Sequence, residues 1–186
     1  MDMKKIMLVV FGCALVTGTF AEPAGFQASL TPDVAIHDRD TRINGVSISF
    51  IGENPQSAFA LGIVNGSRGD SLGFSLGVVN HAENYKGVQY GLVNISSGTF
   101  IGWQGGYAWL CVNYAETLKG AQTGIVNYAG KLTGVQVGVV NYAQTVCNGL
   151  QIGVVNIMPE NEWFQDFPSD LAKGMVFVNW SFGGSK

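Results

Sequence analysis

The densest cluster of chemistry-bearing side chains is Pro32-Asp-Val-Ala-Ile-His-Asp-Arg-Asp-Thr-Arg42, which gathers Asp33, His37, Asp38, Asp40 and Arg42. A calcium site would use about six to eight oxygens in a constrained loop. The spacing does not match a helix–loop–helix calcium loop, so the segment is expected to be a solvated loop. Glu160, Glu162, Asp166 and Asp170 form a second acidic group. Two such carboxylates could serve glycoside hydrolysis, but nothing nearby orients them or would raise one pKa, and an acidic surface loop is expected. His81 fills a slot taken elsewhere by tyrosine and reads as a variant of a repeat. Asn94-Ile95-Ser96 and Asn179-Trp180-Ser181 match the glycosylation triplet, yet both asparagines have a structural use described below. No phosphate-binding loop, zinc spacing or nucleophile triad occurs. The expectation is a protein that is not an enzyme, with no catalytic residue, bound metal or cofactor.

Composition bounds the remaining classes. The chain has 186 residues, of which 47% are hydrophobic and 12% charged, with 26 Gly, 3 Cys and 2 His. Charged residues are about half their usual share and glycine about twice its own. An apolar, weakly charged chain can collapse around a core, unlike a disordered segment. A formal charge of −3 argues against the basic face that nucleic-acid binding needs, so no nucleic-acid partner is expected.

The chain begins with Lys4 and Lys5, an apolar run from Ile6 to Val16, and the small-residue exit Thr19-Phe20-Ala21 before Glu22-Pro23. Those are the marks of a secretory signal, and residues 1–21 are assigned to it. The run is short for a helical membrane span of about 20 residues. Cys13 permits a second reading as a lipidation site, which the bulky Phe11 disfavours. With Cys13 removed, Cys111 and Cys147 remain and are expected to be unpaired. Cys111 stands in a slot otherwise filled by Ile, Val or Leu and reads as a core residue.

The middle of the chain is repetitive. Val-Asn pairs end at Asn65, Asn80, Asn94, Asn113, Asn127, Asn141, Asn156 and Asn179, at spacings of 15, 14, 19, 14, 14, 15 and 23. The underlying unit is therefore about 14 residues, seen most clearly in Gly134-Val-Gln-Val-Gly-Val-Val-Asn141. Copies ending at Asn65, Asn80, Asn113 and Asn179 lack the glutamine in that alignment, and Leu110 replaces the usual glycine. Within a copy, Val135, Val137 and Val139 alternate with Gly134, Gln136 and Gly138, a period of two that specifies β-strand. Each connector keeps one apolar residue: Tyr85, Leu118, Leu132 or Val146. The one hint of helix is a short turn after Pro168-Ser169-Asp170.

Two all-β architectures can use this unit. In a β-solenoid of about eight coils, like residues stack about 4.8 Å apart. The eight Val-Asn asparagines then form a ladder at one corner, and the connector residues point inward. In an up-and-down barrel, or a curved meander of the outer-membrane type, each unit is one strand and one turn. Antiparallel neighbours would not place the asparagines over one another, and the spacings lack alternating long and short loops, so the solenoid is favoured. The chain divides into a signal (1–21), an N-terminal cap region (22–56), the repeat domain (57–156) and a C-terminal cap with an acidic, aromatic loop and a final strand (157–186).

These G-φ-Q-φ-G-φ-V-N units, the leader, and the ending Glu162-Trp163-Phe164…Gly174…Val178-Asn179-Trp180-Ser181-Phe182 resemble bacterial exported surface-repeat proteins, leptospiral members among them. The resemblance spans roughly Gly45 to Phe182. It implies export to the cell surface or to the outer membrane or periplasm of a bacterium, and it brings no catalytic residues. The leading expectation is an envelope repeat protein that is structural or binds a surface partner, protein or glycan, through a repetitive β face, with membrane association open. Two alternatives are an outer-membrane barrel and a carbohydrate-binding or carbohydrate-acting solenoid. The last would use Trp103, Trp109, Tyr114, Tyr128 and Tyr142 as stacking platforms.

Overall fold

A computed structural model describes residues 22–161 and 173–182. The leader with Cys13, the acidic residues Glu162, Asp166 and Asp170, and the turn expected after Pro168 lie outside the described residues. The fold is a β-solenoid of about seven turns, one fewer than the repeat count suggested. Its strands are β1 (Ala24–Thr31), β2 (Val34–Ala35), β3 (Ile43–Glu53), β4 (Phe59–Leu76), β5 (Val79–Tyr90), β6 (Val93–Gly105), β7 (Val112–Ile157) and β8 (Gly174–Phe182). From β1 and β3 through β7, each pairs with its successor in parallel. That excludes the barrel and the meander, whose neighbours reverse direction.

Register explains why the repeat dictates this winding. Asn65 pairs with Asn80, Asn80 with Asn94, and Asn94 with Asn113, while Gly73, Gly87, Gly102 and Gly120 form a second column. Gly134 continues that column at φ +136°, a backbone conformation that disfavours any Cβ, and a Cβ there would collide with the Gly120 carbonyl. Glycine thus lets successive turns approach at this corner.

Inward positions form four stacked columns, only two of them apolar. Tyr85, Phe100, Leu118 and Leu132 make one apolar column, with Val146 packed against it, as expected of the connector residues. Ala82, Ala115, Ala129 and Ala143 make the other, with buried Ser96 standing between Ala82 and Ala115. Tyr85 and Phe100 stack at 6.1 Å between ring centroids. The remaining two columns are the asparagines and glutamines, all buried.

Both ends turn antiparallel. Residues Thr31 and Val34 bring β2 back against β1, and the Asp33–Arg42 loop covers the first turn. Buried Asn54 donates to the carbonyls of Asp38 and Thr41 at 2.9 and 3.1 Å and accepts from Gln27 at 3.0 Å. Arg39 bridges Asp33 and Glu53, and Arg68 also reaches Glu53. The acidic cluster therefore fastens an end cap. At the other end β8 pairs antiparallel with the last pass of β7, with Gln151 opposite Asn179. Asn179 is therefore not the eighth rung. Its Oδ1 accepts from Asn161 instead, at 3.1 Å, because a reversed strand cannot set its Val-Asn pair over Asn156.

Candidate functional site

The asparagines are linked head to tail. Asn80 Nδ2 donates to Asn94 Oδ1 at 2.8 Å, and the same bond, at the same length, joins Asn94 to Asn113, Asn113 to Asn127, Asn127 to Asn141 and Asn141 to Asn156. The second amide hydrogen holds the corner of the following turn: Asn127 donates to the Val137 carbonyl at 3.0 Å and Asn141 to the Ile152 carbonyl at 3.0 Å. The expected ladder is present from Asn65 to Asn156. Glycine is required beside it, since a Cβ on Gly138 would meet the Gly124 carbonyl and lie 2.5 Å from Asn127 Nδ2.

Sequence reasoning missed a second ladder. Gln151 donates to Gln136, Gln136 to Gln122, Gln122 to Gln104 and Gln104 to Gln89, at 2.7–2.8 Å, in the direction opposite to the asparagines. Each also donates to a backbone carbonyl of its own turn, Gln136 to Tyr142 at 3.1 Å. The signal was the G-x-Q-x-G spacing itself, but the repeat ending at Asn113 hid its member. Gln104 is that glutamine, paired with Gln122. The turn then bulges through a 3-10 segment, Tyr107–Trp109, before returning at Cys111. Gly106 approaches the Gly91 carbonyl and so takes the place of the glycine beside the asparagine ladder, the position of Gly138, while Leu110 is exposed in the bulge. Leu110 is thus an added residue rather than a replacement. Cys111 is buried as expected, and its thiol donates to the Thr123 carbonyl at 3.0 Å. Burial pushes that thiol's pKa up, partly offset by the Asn113 amide.

With the amides inside, many aliphatic side chains are left outside. On the passes that carry a glutamine, or Ser47, Ala60 or Ser75 in its register position, the outward residues are Val46 and Ile48, then Phe59 and Leu61, Phe74 and Leu76, Val88 and Tyr90, Trp103 and Gly105, Ala121 and Thr123, Val135 and Val137, and finally Leu150 and Ile152. The next outward position adds Ile63, Val78, Leu92, Ile125, Val139 and Val154, each 38–56% exposed. Between residues 46 and 157, Lys, Arg, Asp and Glu occur only at 53, 68, 70, 83, 86, 116, 119 and 131, and all of these fall on the connectors. One wall of the rod is therefore uncharged and apolar, and the charges lie elsewhere on its perimeter.

The aromatic candidates divide into two groups. Tyr114, Tyr128 and Tyr142 stack on one another at 5.0 and 5.1 Å, within 6° of parallel. The stack covers both faces of Tyr128 and one face each of Tyr114 and Tyr142, so Tyr128 has no open face of the kind a sugar ring needs. Tyr114 donates to Glu116 and Tyr142 to Gln144. Trp103 lies in the apolar wall, tilted against Tyr90, and donates to Thr123 at 2.9 Å. Trp109 is 56% exposed at φ +69°. It borders a shallow depression of about 300 Å³ with Ile125, Val139 and Ile152.

No three of His, Cys, Asp and Glu, His37 and His81 included, gather into a group that could hold a metal ion among the described residues. Glu160 accepts from Gln144 and Thr145, and those hydrogen bonds hold its carboxyl below the usual range. This is the opposite of what a general acid requires. Asn94 and Asn179 are both fully buried, so neither triplet offers its amide to solvent. No family model, curated protein or solved structure matches the chain.

Proposed function

We propose that the protein is an exported repeat protein of the bacterial cell surface or envelope, non-enzymatic, that works by presenting its uncharged wall to a partner. The supporting observation is that wall. Monomeric soluble proteins seldom expose a contiguous apolar patch beyond about 300–600 Å². At about 4.8 Å between passes and 3.3 Å per residue, the wall from Phe26 to Ile152 measures roughly 38 by 20 Å, or about 750 Å². Behind it, two hydrogen-bonded ladders fix the backbone, so the wall is preorganised and loses little entropy when covered.

Export rests on the leader and on the resemblance to surface-repeat proteins. The experiment is secretion in a bacterial host, with N-terminal sequencing of the product and protease treatment of intact cells. A start at Glu22 and loss of the protein to external protease are the expected results. Retention in the cytoplasm with Met1 intact would overturn the reading.

A further inference from the structure

The partner's chemistry follows from the regularity of the wall. Between β4 and β6, register shifts occur between Ser67 and Asp70 and between Ala82 and Tyr85, and from β6 to β7 between Ser96 and Thr99. All three fall on connectors, away from the wall. Across the wall the pairing runs without a slip from Phe74 and Leu76 to Val88 and Tyr90. Ridges of apolar side chains, aromatic as well as aliphatic and interrupted at Gly105 and Thr123, therefore repeat at the strand spacing, and the surface best matched to such a ruled face is another with the same ruling.

We infer that the wall binds a second copy of this chain, giving a lateral homodimer with the two apolar walls packed face to face. This deepens the function proposed above and rests on its reading of the wall as a binding face. Sheets pack about 10 Å apart with interdigitating side chains. Two walls of roughly 750 Å² bury about 1,500 Å² together, the size of a stable specific interface. Their apposition brings no like charges together, because every charge between residues 46 and 157 lies on a connector. At the wall's rim, Trp109 beside the Ile125–Val139–Ile152 depression supplies an aromatic anchor of the kind that dominates interface energetics.

The test is sedimentation equilibrium of the purified full chain, exported and kept free of detergent. The wild type is expected as a dimer. Val139→Glu and Leu61→Glu, both at exposed positions, should each weaken dimerisation at least tenfold while preserving the β-type circular dichroism. Lys119→Glu, on a charged connector, should remain dimeric. A dimer indifferent to both wall variants overturns the inference. A monomer that sediments with phosphatidylcholine vesicles also overturns it, with lipid as the occupant, but leaves the wall a binding face. A monomer that neither dimerises nor binds vesicles overturns both readings.

Discussion

Asn127 shows what one residue contributes. Its amide donates forward to Asn141 and Val137, and its oxygen accepts from Asn113. Asn127→Leu leaves the Asn141 oxygen and the Val137 carbonyl without those donors inside the core, so a loss of about 1–3 kcal/mol is expected, read as a lower urea midpoint. No shift would mean that the buried amides contribute nothing net. Tyr85 is the opposite case. Its ring is buried against Phe100, but its hydroxyl has no hydrogen-bond partner. Burial pushes the phenol's pKa well above its ordinary value. The folded state keeps a proton that the unfolded chain releases above about pH 10. The associated stability is complete below that pH and is lost as pH rises towards the folded value. Tyr85→Phe should flatten this alkaline decline. At pH 7 it should be neutral or stabilising by up to ~1 kcal/mol, because the hydroxyl satisfies nothing. A clear loss in thermal melts at pH 7 would reveal a partner. The asparagine row was legible in the sequence because identical residues recur at a fixed period. The bond each amide makes to the next corner was not, since period alone does not say where a second hydrogen points.

At the scale of the element, corners and bulges decide what the repeat conceals. Gly134 sits at φ +136° against the Gly120 carbonyl, while Gly69 has φ +57° and open space around it. Gly134→Ala is expected to cost at least ~2–3 kcal/mol, since backbone strain and steric overlap add. Gly69→Ala, strained but unobstructed, should cost only about 1 kcal/mol. Equal midpoints in urea for the two variants would mean that close approach of the turns is unimportant. Strand content, parallel winding and the inward connector residues could all be read from alternation and spacing. Two assignments failed for a shared reason: both relied on linear alignment where the chain departs from it. The bulge at Tyr107–Trp109 separates Gln104 from its asparagine, so its place in the glutamine row was hidden. The reversal into β8 sets Asn179 opposite Gln151, although its Val-Asn pair looks like any other. The apolar wall was present as Val135, Val137 and Val139, but the alternation is symmetric. Only the burial of Gln136 shows which side faces out.

For the whole molecule, stability is expected to be a sum of turns and their contacts with nearest neighbours. The N-terminal end depends on Asn54, which ties the Asp38–Thr41 loop over Gln27. Asn54→Ala should cost about 1–3 kcal/mol and speed amide hydrogen exchange in β1 and β3 while leaving β7 protected. Asn127→Leu should speed exchange on both sides of its turn. Uniform loss of protection in both variants would instead describe one all-or-none unit. The opposed donor directions of the two amide rows also bear on how such a chain can change. The asparagine side-chain dipoles point one way along the rod and the glutamine dipoles the other, so their fields offset. Duplicating or deleting an interior unit therefore adds no accumulating axial polarity. Length is electrostatically free to drift in evolution, provided the terminal closures are kept.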